Sequence, residues 1–166
     1  MGSDQIHQLI IMRHAKSDWG AEHECDFDRP LSVRGRKEAE LMARWSSEQT
    51  FIPDIILSSP ALRAKETTHI ICNILGINLS TIIWEKEIYD ASTGDLLKVI
   101  ERNANDINTM LMIDHNPGMD TLLCFLSKND PKLTASGKIM TTSALAILSY
   151  QKGLIKTEPQ SATLKC

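Results

Sequence analysis

The sequence predicts an α/β fold built on a largely parallel sheet, and three observations carry that prediction. Strand-length apolar runs alternate with helix-length amphipathic runs along the chain. Two of the apolar runs, Leu9–Met12 and Met110–Ile113, stop abruptly at a charged residue followed by histidine, Arg13-His14 and Asp114-His115. Polar residues gathered at strand ends mark the edge where open α/β sheets hold their ligands.

The elements follow in order. The first strand is expected over about Gln8–Met12, followed by a polar loop to Arg29-Pro30-Leu31. Ser32 is placed to cap a helix from about Val33 to Ser47, where Ala39, Met42, Ala43 and Ser46 keep i, i+3, i+4 spacing. Pro53 punctuates the chain, and Asp54–Leu57 reads as a second strand. A helix over Ala61–Leu75 carries Ala64, Thr67, Thr68, Ile71, Ile74 and Leu75 on one face, with Gly76 at its C-terminal cap. Leu79–Trp84 is rich in β-branched residues and reads as a strand. Gly94–Ala104 reads as a helix turning Leu96, Leu97 and Ile100 inward, and Thr109–Asp114 as a strand. Pro117 suits the first turn of a helix running to Leu126. Ala144–Tyr150 is the last core strand, and the tail from Gln151 has at most a short strand near its end. The loops after the strands are expected to run about 4–15 residues. With no repeat and no linker, a single domain over residues 1–166 with a core of about 8–150 is expected.

Composition narrows the function. The 166 residues are 42% hydrophobic with a net charge of −3, which disfavours both disorder and a nucleic-acid surface. Arginines placed beside histidines in such an acidic chain point to local attraction for an anion. The four cysteines, at 25, 72, 124 and 166, show no CxxC spacing and are expected as reduced, mostly buried thiols. No apolar stretch nears the roughly 20 residues that span a bilayer. The polar start Met1–Gln8 has no signal-peptide character, and Ile6 stands where myristoylation needs Ser or Thr, so a cytoplasmic protein without a membrane partner is expected.

The strand-end residues point to phosphoryl chemistry. A phosphoryl group brings about two negative charges, and fixed cations must replace the water it leaves. Arginine does this with paired hydrogen bonds to the oxygens. Arg13 ends a strand, and Arg63 lies in the first turn of its helix after Ser58-Ser59-Pro60, where free backbone N–H groups also face an anion. A neutral imidazole attacks phosphorus and splits one hard step into two. His14, directly after the first strand, is the expected nucleophile, and His115 the charge-stabilising partner.

Arg13-His14-Ala15-Lys16-Ser17, Ser58-Ser59-Pro60-Ala61-Leu62-Arg63-Ala64 and Asp114-His115-Asn116-Pro117-Gly118 resemble the three signature stretches of the histidine phosphatase superfamily. Arg29-Pro30-Leu31-Ser32 before Gly35, Trp19, Glu87-Ile88-Tyr89 and Thr141-Thr142-Ser143-Ala144 extend the likeness over about residues 9–148, in order. Within that superfamily the chain is similar to the short SixA-type phosphohistidine phosphatases. The resemblance implies a three-layer α/β/α sandwich of the phosphoglycerate mutase-like type, with no metal and no organic cofactor. It implies that His14 takes the phosphoryl group while Arg13, Arg63 and His115 complete a cationic pocket, with Ser17 and Asn116 as further phosphate contacts. The expected partner is a phosphorylated protein, such as a histidine phosphotransfer domain, or a small phosphoester, with inorganic phosphate as product.

Two positions depart from the pattern. Ala15 stands where the superfamily motif has glycine, which reduces backbone freedom after His14. The general acid is the second: superfamily members often use a carboxylate, and by position Glu87 is the candidate, with Glu85 and Asp18 behind it, whereas SixA-type members lack a clearly placed acid. Sugar-phosphate enzymes of the superfamily carry inserted segments that this short chain lacks, so an open, shallow pocket for phosphohistidine on a protein surface is expected. Hydrolysis of small phosphomonoesters and non-catalytic phosphate binding are the alternatives. Other polar residues have plainer readings: His7, His23 and His69 as structural histidines, His23-Glu24-Cys25 as no metal site, and Arg34, Arg36 and Lys37 as a solvated helix face.

Overall fold

A computed structural model of the chain describes residues 6–151 and 153–165. Its centre is a six-stranded sheet of β1 (His7–Arg13), β2 (Ile55–Ser58), β3 (Ile82–Trp84), β4 (Thr109–Asp114), β5 (Leu145–Tyr150) and β6 (Thr163–Leu164). The strand order is β3-β2-β4-β1-β5-β6. β1, β2, β3 and β4 pair in parallel, while β5 runs antiparallel to β1 and β6 antiparallel to β5. The short strand expected near the chain end is β6.

Alternation along the strands builds the layers. Leu9 and Ile11 of β1 join Met110 and Met112 of β4 on one face, against α3 (Thr93–Asn103) and α4 (Gly118–Leu126). Ile10 and Met12 face the other way with Ile56, Leu111 and Ile113, against α1 (Val33–Glu48) and α2 (Leu62–Leu75). The expected α/β/α sandwich is therefore present. Each buried Ile, Leu or Met here contributes about 1.5–3 kcal/mol.

The caps obey the sequence signals. The Ser32 hydroxyl accepts from the Gly35 N–H at 3.0 Å, and Gly76 ends α2 in the left-handed conformation that glycine adopts freely. The helix faces match as well: Ala39, Ala43 and Ser46 of α1, and Ala64, Thr67, Thr68 and Ile71 of α2, are buried. In α3, Val99 takes the fully buried place expected of Leu97, which packs at the margin.

Three expectations are corrected. Only Ile82–Trp84 of the predicted Leu79–Trp84 strand pairs, because the Asn78 side chain accepts from the Ser80 N–H and folds Leu79–Thr81 into a 3₁₀ turn. Cys25 and Cys124 are exposed free thiols, because they fall on the outer loop and the outer face of α4; among the described residues only the Cys72 thiol is buried, pushed up to about 11 by desolvation. Cys166 lies outside the described residues. Two connections are long: 14–32, which exceeds the length expected of a loop after a strand, and 127–144, which follows α4. The first of these is tied down by a Ser17–Leu31 bridge and the 3₁₀ turn Asp26–Asp28.

Sheet geometry then sets the site. The register pairs Arg13 with Asp114, so the next residues, His14 and His115, emerge side by side from neighbouring parallel strands. Ser58 pairs with Ile113, which brings Ser59 to the same edge.

Candidate active site

His14 is held by backbone on two sides: its N–H donates to the Asp114 carbonyl at 3.0 Å, and its own carbonyl accepts from the Ser143 N–H at 3.2 Å. Ala15 follows with its N–H on Thr67 Oγ1 at 3.1 Å, and needs no left-handed backbone, so alanine fits where glycine was the pattern. The His14 ring is fixed by Nδ1, which lies 2.7 Å from the Ala15 carbonyl oxygen. A carbonyl only accepts, so Nδ1 carries the proton and Nε2 keeps its lone pair. Arg63 Nε donates to that nitrogen at 3.3 Å.

The His115 ring stands 4.9 Å from that of His14, tilted by 56°. Its Nε2 lies 2.9 Å from Ser59 Oγ, which already accepts from the Ala61 N–H. The other ring nitrogen, Nδ1, is buried and without a hydrogen-bond partner among the described residues, while the Asp114 carboxyl lies 3.4 Å from Nε2. A buried ring nitrogen in that condition beside another imidazole suits an oxyanion once it carries the proton. Tyr89 packs edge-on against this ring at 5.2 Å.

The cations surround the two rings. Arg63 and Arg29 are buried, whereas Arg13 is half-buried. Arg13 Nη1 and Asn116 Nδ2 both donate to the Met140 carbonyl, at 3.0 and 3.1 Å. Arg29 donates through Nη1 to Ser17 Oγ at 2.6 Å and stacks 3.5 Å over the Trp19 ring. The Ser17 hydroxyl is thus engaged by Arg29, leaving its own hydrogen to donate.

Burial and charge keep both imidazoles neutral. Desolvation, with the nearby arginines, holds His14 down to about 4. Desolvation, His14 and Arg63 hold His115 at about 2. Desolvation lifts the buried Asp114 carboxyl to about 8. The site therefore offers a neutral ring nitrogen among fixed cations, which is what attack on an electron-poor phosphorus requires.

The structure brings together Arg13, His14, Arg63, His115 and Asn116, with Ser17 one arginine away. Glu87 stands apart from them. Its carboxylate is 63% exposed and bonds Arg102 of α3, which also takes Glu85. That pairing draws both carboxylates toward α3, and Glu87 is not in hydrogen-bond reach of either imidazole. The carboxylate that does meet the pocket is Asp26, bonded to Arg63, Arg29 and Tyr89. Asp26 and Tyr89 draw the 18–28 loop across the site, so that His14, Arg63 and His115 are only 7%, 5% and 6% exposed.

Sequence reasoning missed Asp26, Arg29 and Ser59 as site residues. Arg29 and Ser59 lay inside recognised motifs; Asp26 lies in an irregular loop where no periodicity distinguishes it. Among the described residues no three His, Cys, Asp or Glu side chains converge to hold a metal ion, and no helix is long and apolar enough to cross a membrane. His7, His23 and His69 have local partners: the Ile107 carbonyl, the Ala21 carbonyl and the Trp84 ring.

The sequence profile of the histidine phosphatase superfamily (branch 1) matches residues 9–96. The chain belongs to that superfamily. An uncharacterised protein of Mycobacterium leprae is 32% identical, covering 92% of this chain and 96% of its own. The phosphohistidine phosphatase SixA of Escherichia coli is 28% identical, over 87% and 86%. A SixA crystal structure from Agrobacterium tumefaciens superposes with a TM-score of 0.76 at 29% identity, covering 90% of this chain and 98% of that one. A SixA structure complexed with tungstate gives 0.73 at 26% identity, over 90% and 97%. Superfamily membership supports a phosphatase, and the matched SixA chains correspond to this one nearly from end to end.

Proposed function

We propose that this histidine phosphatase-superfamily protein hydrolyses phosphohistidine on a partner protein through a phosphoenzyme at His14. The observation that carries the reading is the tautomer of His14: Nδ1 is committed to the Ala15 carbonyl, so Nε2 presents its lone pair beside Arg63. In the proposed reaction that lone pair attacks phosphorus as the bond to the partner's imidazole breaks; protonated on its other nitrogen, that imidazole leaves as a neutral ring and needs no general acid. Arg13, Arg63 and the His115 Nδ1–H neutralise charge on the phosphoryl oxygens as they spread in the transition state. Water then cleaves the His14–phosphorus bond and releases inorganic phosphate.

Similarity to SixA over nearly the whole length supports the protein substrate. Capture of tungstate by such a relative supports an oxyanion pocket. A second reading, hydrolysis of small phosphomonoesters, is favoured by how little of His14 and His115 is exposed beneath Asp26 and Tyr89.

The test compares kcat/KM on a phosphorylated histidine phosphotransfer domain with that on sugar phosphates, with and without chelator. The proposal expects a clear preference for the phosphoprotein and no effect of chelation. Preference for the small phosphoesters would establish the second reading, and loss of activity on chelation would overturn metal independence.

A further inference from the structure

Resting on that reading of the site, we infer that Asp26 is a positioning residue for phosphoryl transfer, which sets the Arg63 guanidinium in the orientation that serves His14. The two ends of the guanidinium have different partners. Nη1 donates to the Asp26 backbone carbonyl at 2.6 Å, and Nη2 to the Asp26 carboxylate at 2.9 Å, so one residue grips the terminal fork. Nε, on the other side, donates to His14 Nε2 at 3.3 Å. The grip leaves the remaining N–H groups for phosphoryl oxygens arriving at His14, and Nε–H joins them as the His14 lone pair turns to phosphorus. Arginine has five N–H donors in a rigid plane, so fixing the fork fixes the whole cation.

Asp26 is itself braced from three directions. Its Oδ1 accepts from Arg29 Nη2 at 2.6 Å, and its Oδ2 from the Tyr89 hydroxyl at 3.0 Å as well as from Arg63. These donors come from the loop before α1, the turn after β3, and α2. An aspartate whose side chain is 50% exposed is thereby held still. Arg29 is fixed in turn by Ser17 and Trp19.

Two other roles fit less well. A general acid must carry a proton, and although desolvation works the other way, the hydrogen bonds from Arg29 and Tyr89 and the charge of Arg63 hold this carboxylate at about 2. A resident anion blocking the phosphate site would occupy the side of Arg63 that faces His14. Asp26 instead takes the terminal fork.

The test is a double-mutant cycle on p-nitrophenyl phosphate turnover, paired with vanadate binding by calorimetry and with melting curves. Asp26→Ala is expected to lower kcat by about 10²-fold, the cost of a misplaced catalytic group. Asp26→Asn, which keeps the volume and one acceptor, should lose less, and vanadate should bind both variants more weakly. Because Asp26 acts through Arg63, adding Asp26→Ala to Arg63→Ala should cost less than about 2-fold more. A merely structural role would lower the melting temperature without this non-additivity. Equal losses in both backgrounds, unchanged turnover in the single variants, or tighter vanadate binding would overturn the inference. Should Arg63→Ala alone keep full turnover and vanadate affinity, the proposed phosphatase site falls first and the inference with it.

Discussion

Arg63 Nε lies 3.3 Å from His14 Nε2, the ring nitrogen left free when the Ala15 carbonyl takes the proton of the other. This places a permanent cation on the lone pair that the proposed chemistry uses. It also disfavours protonation of that nitrogen, because an imidazolium there would face guanidinium charge.

The pH–rate profile should reflect this. Desolvation and the arginines hold His14 down to about 4, so its neutral form persists well below the ordinary histidine range. The acid limb of kcat/KM, corrected for ionisation of the substrate, is expected near pH 4. A limb near 6.5 assigned to His14 would contradict the geometry.

Stability should show a different pH dependence. His14 and His115 titrate lower in the folded chain than in the unfolded one, so between about 4 and 6.5 the unfolded state binds more protons and stability rises with pH. Asp114 is raised from about 4 to about 8, so over that whole range it works the other way, offsetting part of the rise below 6.5 and leaving stability to decline between 6.5 and 8. Melting temperature measured against pH is expected to peak near 6.5. Asp114→Asn should flatten the decline above it, and an unchanged slope in that variant would remove Asp114 from the account.

Ser59 should matter through His115. Its hydroxyl is bonded to His115 Nε2, and as the donor in that contact it puts the ring proton on Nδ1, as the proposed role requires. Ser59→Ala releases that choice of tautomer and is expected to lower turnover by about 3- to 10-fold, the worth of one neutral hydrogen bond. Steady-state kinetics beside a melting curve checks this, and undiminished kcat would show that the ring is oriented by other means.

Gly35 joins the fold to the site. A Cβ there would lie 2.0 Å from the Lys16 carbonyl oxygen, which also accepts from the Ser32 N–H and hydroxyl. The first turn of α1 thus presses directly on the segment after His14. Gly35→Ala is expected to destabilise by about 1–3 kcal/mol or more in urea unfolding and to lower turnover with it. Wild-type stability in that variant would show that the contact can relax.

Much of this was legible in the sequence, for identifiable reasons. Parallel strands bring their C-terminal residues to one edge, so Arg13-His14 and Asp114-His115 marked a site before any register was known. The caps at Ser32 and Gly76 and the inward face of α2 follow from local chemistry that tertiary packing did not override. What escaped depends on contacts distant in sequence. Glu87 sits at the position expected of an acid, but Arg102, fifteen residues on, takes its carboxylate. Asp26 reaches Arg63 across 37 residues, and no spacing within the 18–28 loop announces it.

Trapping the intermediate tests the central claim most directly. The enzyme would be mixed with radiolabelled phosphorylated substrate, quenched within one turnover at alkaline pH, and mapped by mass spectrometry. The account predicts one acid-labile phosphoryl group on His14 Nε2, absent together with turnover in His14→Ala. Label on another residue, or near-normal hydrolysis by His14→Ala, would contradict it.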